Sequence, residues 1–204
     1  MDAALNLDHK ICMTDGTPIE DPDARLMLRF KDGDREAFET LFSRHTHAII
    51  NFAYRFVRNR EIAEELAQEI FLKIYEGAAG YEAQARFTTW LYRIATNVCL
   101  NEMRKPRFRA MHEPLVEALS VDSGIVAGER LDRQAVSRAI HAALNRLPNN
   151  QRIAFLLNKY QELSYSEVSE VMKISEQAVK SLIHRAKETL AEKLKPSLPE
   201  LWDL

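Results

Sequence analysis

Apolar residues recur at helical spacing along most of this chain. Near the C-terminal end, steps of three and four residues connect Val179, Ile183, Ala186 and Leu190. The same spacing recurs upstream at Phe87, Leu91, Ile94, Ala95 and Val98. This period is typical of one buried face of an α-helix. Only six glycines and few long β-branched runs are present, which also favours helix over strand. The pattern therefore predicts an all-α protein.

Breaks in the periodicity divide the chain into two helical units. Predicted helices of the first unit span residues 23–31, 35–58, 60–76 and 87–104, and those of the second span 129–146, 148–160 and a helix pair within 165–194. Pro106, Pro114, Gly124 and Gly128 interrupt the stretch between the units. We therefore expect two small helical domains, 23–105 and 129–195, joined by a flexible linker, 106–128, with a flexible leader, 1–22, and a tail, 196–204.

The last helix pair has the pattern of a helix-turn-helix. Ser164 with Glu167 three residues on predicts a capping box for its first helix, and Ser175 predicts an N-cap for its second. Polar residues occupy the side of the second helix opposite its apolar stripe, namely Gln177, Lys180, Ser181, His184 and Arg185. Long donors near the N-terminal half of such a helix suit base edges and phosphates in a major groove. The alternative is an amphipathic surface helix with solvated charges.

A second polar ladder lies on the fourth predicted helix. Four-residue steps connect Thr89, Arg93, Asn97, Asn101 and Lys105, which we expect on one face. Amides can bond base edges and cations can follow phosphates, while Tyr81, Trp90 and Tyr92 could stack on unpaired bases. The alternative for Trp90 and Tyr92 is a place in the core.

The third predicted helix carries an acidic run, at Glu61, Glu64, Glu65, Gln68 and Glu69. Ile70, Phe71 and Ile74 on the same helix are expected in the core. Like charges four residues apart cost an isolated helix a few tenths of a kcal/mol. The run is either a solvated face or a docking face for a basic partner.

Composition is that of a soluble globular protein, with 46% hydrophobic and 28% charged residues. The formal net charge of −2 is unusual for a protein that binds DNA alone. Charge is segregated, however: residues 1–23 hold six acidic residues against one lysine, and residues 86–109 hold six cations against one glutamate. This distribution predicts that a second protein helps to hold the chain on DNA.

Several classes of function are disfavoured. The chain has no Gly-rich phosphate loop, no HExxH motif and no cysteine pair with metal spacing, so we expect no enzyme, no metal, no cofactor and no small-molecule substrate. No apolar run reaches the roughly 18 residues of a membrane span, and the N-terminus does not resemble a secretory signal. Two distant cysteines fit a reducing compartment. These features predict a cytoplasmic protein without membrane insertion.

Taken together, residues 23–195 resemble a bacterial extracytoplasmic-function sigma factor, a dissociable promoter-specificity subunit of RNA polymerase. AEELAQEIFLKIY (63–75) resembles the family's polymerase-clamp-binding helix, FTTWLYRIATNVCLNEMRK (87–105) its −10 element helix, and LSYSEVSEVMKISEQAVKSLIHRAKETL (163–190) its −35 helix-turn-helix. All three segments stand in the family's order. The resemblance implies an alternative sigma factor that recognises −35 and −10 elements, helps to open the duplex and initiates transcription of a stress- or signal-responsive regulon.

The resemblance also implies roles for individual residues. Contacts with the polymerase clamp would come from Glu65, Leu66, Gln68 and Glu69. Tyr81 and Asn97 match positions that hold a flipped −10 base, and Thr89, Arg93 and Asn101 would line the path of the non-template strand. The −35 contacts would come from Lys180, Ser181, His184 and Arg185. Lys173 stands where glycine is common in the turn, so a positive φ is expected there.

The expected partners are core RNA polymerase, through its clamp and flap regions, promoter DNA as duplex and non-template single strand, and an anti-sigma factor. A self-contained helix-turn-helix regulator is the main alternative, and it predicts tight binding to a palindrome without polymerase. A pure protein-interaction module is a second alternative, and it predicts no nucleic-acid binding at all.

Overall fold

A computed structural model of the chain describes residues 13–14, 17–18, 21–106 and 133–195. These residues are helical apart from loops, a two-residue antiparallel ladder and one 3-10 turn at Ala78–Gly80. The ladder pairs β1 (Met13–Thr14) with β2 (Thr17–Pro18). The helices in chain order are α1 (Pro22–Lys31), α2 (Arg35–Val57), α3 (Arg60–Gly77), α4 (Phe87–Arg104), α5 (Arg133–Asn145), α6 (Asn149–Tyr160), α7 (Tyr165–Met172) and α8 (Glu176–Leu194).

The all-α prediction is confirmed, and the expected helices are present. The described starts and ends of α1 to α4 lie close to those predicted. The predicted start of α5, like most of the expected leader, nearly all of the linker and the whole tail, lies outside the described residues.

Local capping explains where the helices of the first domain begin. The Asp21 carboxylate accepts from the Asp23 N–H at 2.9 Å and from the Phe87 N–H at 2.6 Å. One side chain therefore caps α1 and also fixes the first residue of α4. Asp34 and Asn59 cap α2 and α3 in the same way.

Residues 21–106 form the first domain around an aromatic and aliphatic core. Its largest fully buried side chains include Phe52, Phe56, Ile70, Ile74 and Leu91. The predicted core positions Ile70, Phe71 and Ile74 are all buried, as expected. The core orients α3 and α4 so that each keeps one face toward solvent.

Residues 133–195 form the second domain, in which α6 and α8 pack together and α7 lies against both. The predicted stripe of α8 is confirmed, since Val179, Ile183, Ala186 and Leu190 are all buried. One detail differs from the prediction. Pro148 does not occupy the first turn of α6 but precedes it with φ −51° and ψ 143°, and its carbonyl accepts from the Arg152 N–H at 3.0 Å.

The two domains pack against each other through α4 and α7. The sequence predicted two domains on a linker and gave no sign of this contact. Separately, no helix among the described residues is long and apolar enough to cross a bilayer.

Candidate nucleic-acid and polymerase interfaces

The helix-turn-helix is built by the local signals that predicted it. Glu167 N–H donates to Ser164 Oγ at 3.2 Å, and Ser164 N–H donates to Glu167 Oε2 at 2.8 Å, which is the reciprocal capping box. Lys173 ends α7 in the left-handed region at φ 55°, as its place in the turn predicted. Ser175 Oγ then accepts from the Ala178 N–H at 3.2 Å and starts α8.

Opposite its buried stripe, α8 presents the predicted donors to solvent. Gln177, Lys180, His184 and Arg185 are exposed, and Ser181 is half-buried. Two of them have neighbours on the surface: Lys180 Nζ lies 5.8 Å from the centre of the Tyr165 ring, and His184 Nε2 lies 3.4 Å from Glu188 Oε1. This face has the shape and chemistry for insertion into a major groove.

The five residues of the polar ladder on α4 differ in their exposure to solvent. Arg93, Asn97, Asn101 and Lys105 are exposed, whereas Thr89 is only 4% exposed. The expectation that all five share one face is wrong. Each four-residue step advances about 40° around a helix of 3.6 residues per turn, so four steps rotate by about 160°. Lys105 also lies beyond the last residue of α4, where its Nζ pairs with Glu102 Oε2 at 2.6 Å.

The aromatic residues near α4 belong mainly to the core. Tyr81 is 1% exposed, and its ring centroid lies 5.0 Å from that of Trp90. Tyr92 is also buried, and burial raises the pKa of its hydroxyl despite the nearby charge of Arg55. Trp90 is half-buried. In this conformation the rings of Tyr81 and Tyr92 are inaccessible to bases, so the expected role of Tyr81 requires a rearrangement of the loop that precedes α4.

Of the four residues expected to contact the polymerase clamp, three lie exposed on the acidic face of α3. Glu65, Gln68 and Glu69 are exposed, but Leu66 is 3% exposed within the core. Leu66 cannot contact a partner from this position, because the apolar period of α3 places it beside Ala63 and Ile70 on the buried side.

An apolar surface next to this acidic face was not predicted. Leu72 is 56% exposed and Phe42 of α2 is 42% exposed, and the Phe42 ring lies 4.7 Å from that of buried Phe71. Leu72 follows Glu65 by seven residues and Glu69 by three, so all three lie on one face of α3. The sequence contained a signal for this exposure, because Leu72 is apolar but does not fit the period of the core residues Ile70, Phe71 and Ile74.

The histidines that the structure describes give no indication of a metal site. His45 Nε2 lies 2.8 Å from Asp23 Oδ2, and the His47 ring is next to the Asn51 amide on the same helix. Across the described ranges, no group of three or more His, Cys, Asp or Glu side chains is placed to hold a metal ion.

Comparison with known proteins places both domains in one family. The sequence profile described as Sigma-70 region 2 matches residues 41–109, and that described as Sigma-70, region 4 matches residues 137–190. The first range includes α3 and α4, and the second includes the helix-turn-helix.

Full-length relatives agree with these matches. The ECF RNA polymerase sigma factor SigW of Bacillus subtilis is 33% identical over 81% of this chain and 92% of its own length. The ECF RNA polymerase sigma-E factor of Escherichia coli K12 is 31% identical over 85% of this chain and 95% of its own. A solved structure of the sigma factor RpoE from Bartonella quintana, in complex with the anti-sigma factor NepR, is 25% identical with a TM-score of 0.60, over 78% of this chain and 96% of that one.

The chain therefore belongs to the extracytoplasmic-function family of RNA polymerase sigma factors. Sigma factors are promoter-specificity subunits and not catalytic enzymes. The alternative of a self-contained regulator is not favoured, since the relatives that match along the chain are sigma factors.

Proposed function

We propose that the two domains read the −35 and −10 elements of a promoter through the exposed polar faces of α8 and α4. The observation that carries this proposal is the exposure of four long donors on the N-terminal half of α8, directly opposite its buried stripe. Gln177, Lys180 and Arg185, with Ser181 and His184 beside them, would enter the major groove of the −35 duplex.

On α4, Asn97 and Asn101 supply amides, and Arg93 and Lys105 supply cations, to a single strand at the −10 element. Each unstacked base costs a few kcal/mol, which amide hydrogen bonds and contact with the strand must offset. Thr89 and Tyr81 are buried in this structure. They would contact the strand only in a conformation in which the residues that cover them have moved.

The polymerase clamp would dock on the acidic face of α3 through Glu65, Gln68 and Glu69. Leu72 on this face, and Phe42 of α2 beside the Phe71 ring, are exposed apolar side chains that an interface here would bury. With polymerase as a platform, two weak DNA readers act as one tight reader, because the binding of one raises the effective concentration of the other. Contact with the polymerase flap by the second domain completes the proposal and implies a location in the bacterial cytoplasm.

The test is run-off transcription by core polymerase on a promoter library, with and without the protein. We expect transcripts that depend on the protein and that are lost with Asn97→Ala. Glu69→Lys should also abolish them, whereas Glu39→Lys, a matched charge reversal at an exposed site on α2, should not. Tight binding of the protein alone to a palindromic duplex, without any polymerase-dependent transcript, would refute the proposal.

An anti-sigma factor is the expected regulator, and the Bartonella relative was solved with such a partner. If one exists for this chain, it should co-purify with the protein after expression in its native host. Glu69→Lys should weaken its binding wherever it shares the clamp-binding face.

A further inference from the structure

The loop that precedes α4 is held at both of its ends by side chains from the two ends of α1. Lys31 Nζ, on the last turn of α1, donates to the Tyr81 carbonyl at 2.9 Å, where the loop begins. Asp21 Oδ2, at the N-cap of α1, accepts from the Phe87 N–H at 2.6 Å, where the loop ends and α4 begins. Residues 82–86 between these two points are exposed or half-buried. The loop is therefore attached to α1 at its ends and open to solvent in its middle.

Asp21 acts as one cap for two helices. Its Oδ1 accepts from the Asp23 N–H at 2.9 Å in the first turn of α1, while its Oδ2 serves Phe87. The N-cap residue of α4 is Arg86, whose side chain has no hydrogen-bond acceptor and cannot cap the helix itself. The first N–H groups of a helix lack partners within it and carry partial positive charge, which favours a carboxylate there. Asp21 thus supplies α4 with the acceptor that its own N-cap residue lacks.

α1 can support the loop because it is itself packed on α2. Asp23 pairs with Arg44, and its Oδ2 lies 2.8 Å from His45 Nε2, both on α2. Near the other end of α1, the Phe30 ring centroid lies 4.7 Å from that of Phe38 on α2. The two ends of the loop are therefore attached to a helix that has its own contacts with the core of the domain.

The position of this loop matters for the proposed −10 site. Tyr81 at the start of the loop and Asn97 on α4 are the two residues that the resemblance assigns to one flipped base. They belong to different elements, so they can act on the same base only while the loop and α4 keep a defined relative position. Both bonds from α1 go to main-chain atoms, so the Tyr81 side chain and the middle of the loop can rearrange while the ends stay in place. A site whose ends are already held loses less conformational entropy when the strand binds.

We propose that α1 positions the −10 site: Asp21 and Lys31 hold the two ends of the 81–86 loop and the start of α4, and so prepare them for the strand. Both are positioning residues, because their bonds go to the main chain of the protein and not to DNA. α1 lies outside the two ranges that the family profiles match, residues 41–109 and 137–190, so neither profile assigns it a role. The inference rests on the proposed role of α4 at the −10 element.

The two oxygens of Asp21 allow its two tasks to be separated. Asparagine is a good N-cap but has one acceptor oxygen in place of two, so Asp21→Asn should keep the adjacent cap of α1 and lose the bond to Phe87. Lys31→Met removes the donor and keeps an apolar stem, whereas Lys31→Arg keeps a donor. Asp34→Asn is the matched control, because Asp34 caps α2 by accepting from the Ala37 N–H at 3.3 Å.

The attachment of the loop can be measured without DNA or polymerase. Hydrogen–deuterium exchange of the full chain, followed by mass spectrometry over peptides that cover residues 80–90, reports opening of the loop and of the first turn of α4. We expect Asp21→Asn and Lys31→Met each to speed exchange there by about threefold or more relative to Asp34→Asn, since each loses one hydrogen bond. Exchange in α8 should stay at the rate of the unsubstituted protein. Unchanged exchange over residues 80–90 in both variants would overturn the inference.

The effect on DNA is measured with core polymerase and two probes made from a promoter found in the run-off library. One probe is a fork with an unpaired −10 non-template strand, and the other is a duplex with the −35 element alone. We expect Asp21→Asn and Lys31→Met to weaken binding to the fork by about threefold or more, and to leave binding to the −35 probe within about twofold. Lys31→Arg should bind the fork more tightly than Lys31→Met.

The outcomes separate this inference from the proposed function. Equal fork affinities for Asp21→Asn and Asp34→Asn, with faster loop exchange in the first, would overturn the positioning role. Equal weakening on both probes would also overturn it, because a general loss of folding would then be the cause. If the unsubstituted protein with polymerase bound neither probe, the proposed function would fail, and the exchange result would still decide whether α1 holds the loop.

Discussion

The two helices that carry the predicted DNA-binding residues, α4 and α8, differ in how they are packed. α8 buries a single stripe, and the donors opposite that stripe are exposed or half-buried. α4 buries a wider face that runs around the helix from Phe87 through Ala95 and Cys99 to Thr89, so Thr89 is covered while Asn97 is exposed. α8 packs against α5, α6 and α7 of its own domain, and its period alone was enough to predict its buried face. α4 packs against helices of its own domain and also against α7, which comes from a distant part of the sequence, so its period alone does not predict its whole buried face.

The largest expected effect tests the stripe of α8. Ile183→Ala removes a fully buried side chain and should lower the free energy of unfolding by about 2–5 kcal/mol. Urea denaturation followed by circular dichroism measures it, with exposed Lys187→Ala as the control on the same helix. A loss below about 1 kcal/mol would mean that the stripe is not packed as described.

The exposed face of α8 provides the next prediction. Arg185→Ala should weaken the binding of the polymerase complex to its promoter by about 1–3 kcal/mol. Competition binding with a labelled promoter fragment measures it, and Lys195→Ala removes a matched exposed cation at the end of the helix. Equal losses for the two variants would point to general charge attraction and away from recognition by this face.

A smaller effect concerns α7, the helix that packs against both α4 and α8. Ser164→Ala removes the side chain that accepts from the Glu167 N–H and should cost about 1 kcal/mol of stability. Ser166→Ala, at an exposed position in the first turn, is the control. If both variants unfold at the same urea concentration as the parent chain, the capping box contributes nothing measurable.

Local signals in the sequence were sufficient for much of this structure. Ser164, Lys173 and Ser175 lie where capping and turn chemistry place them, because these preferences depend on a few neighbouring residues. The burial of Val179 and Ile183 followed from the period of α8 for the same reason. The order of the three motifs was enough to indicate the family.

Two leucines of α3 were missed although the sequence contained the signal, because the apolar period places Leu66 with the core and leaves Leu72 outside it. Other features depended on contacts that no local pattern contains. Tyr81 is buried in an aromatic cluster with Trp90 and Phe87 of α4. Thr89 is buried on α4, which packs against α7, more than 70 residues further along the chain.

The smallest expected effect tests the wide buried face of α4 most directly. Thr96 is 4% exposed, and its hydroxyl has no hydrogen-bond partner among the described residues. Valine has nearly the same shape without the hydroxyl, so Thr96→Val should raise the free energy of unfolding by about 0.5–1 kcal/mol. Thr189→Val on α8, where the side chain is half-buried beside a single packed stripe, should change it by less than about 0.5 kcal/mol. A loss of stability with Thr96→Val would mean that the hydroxyl has a partner in solution, and its burial on the wide face of α4 would then carry no penalty.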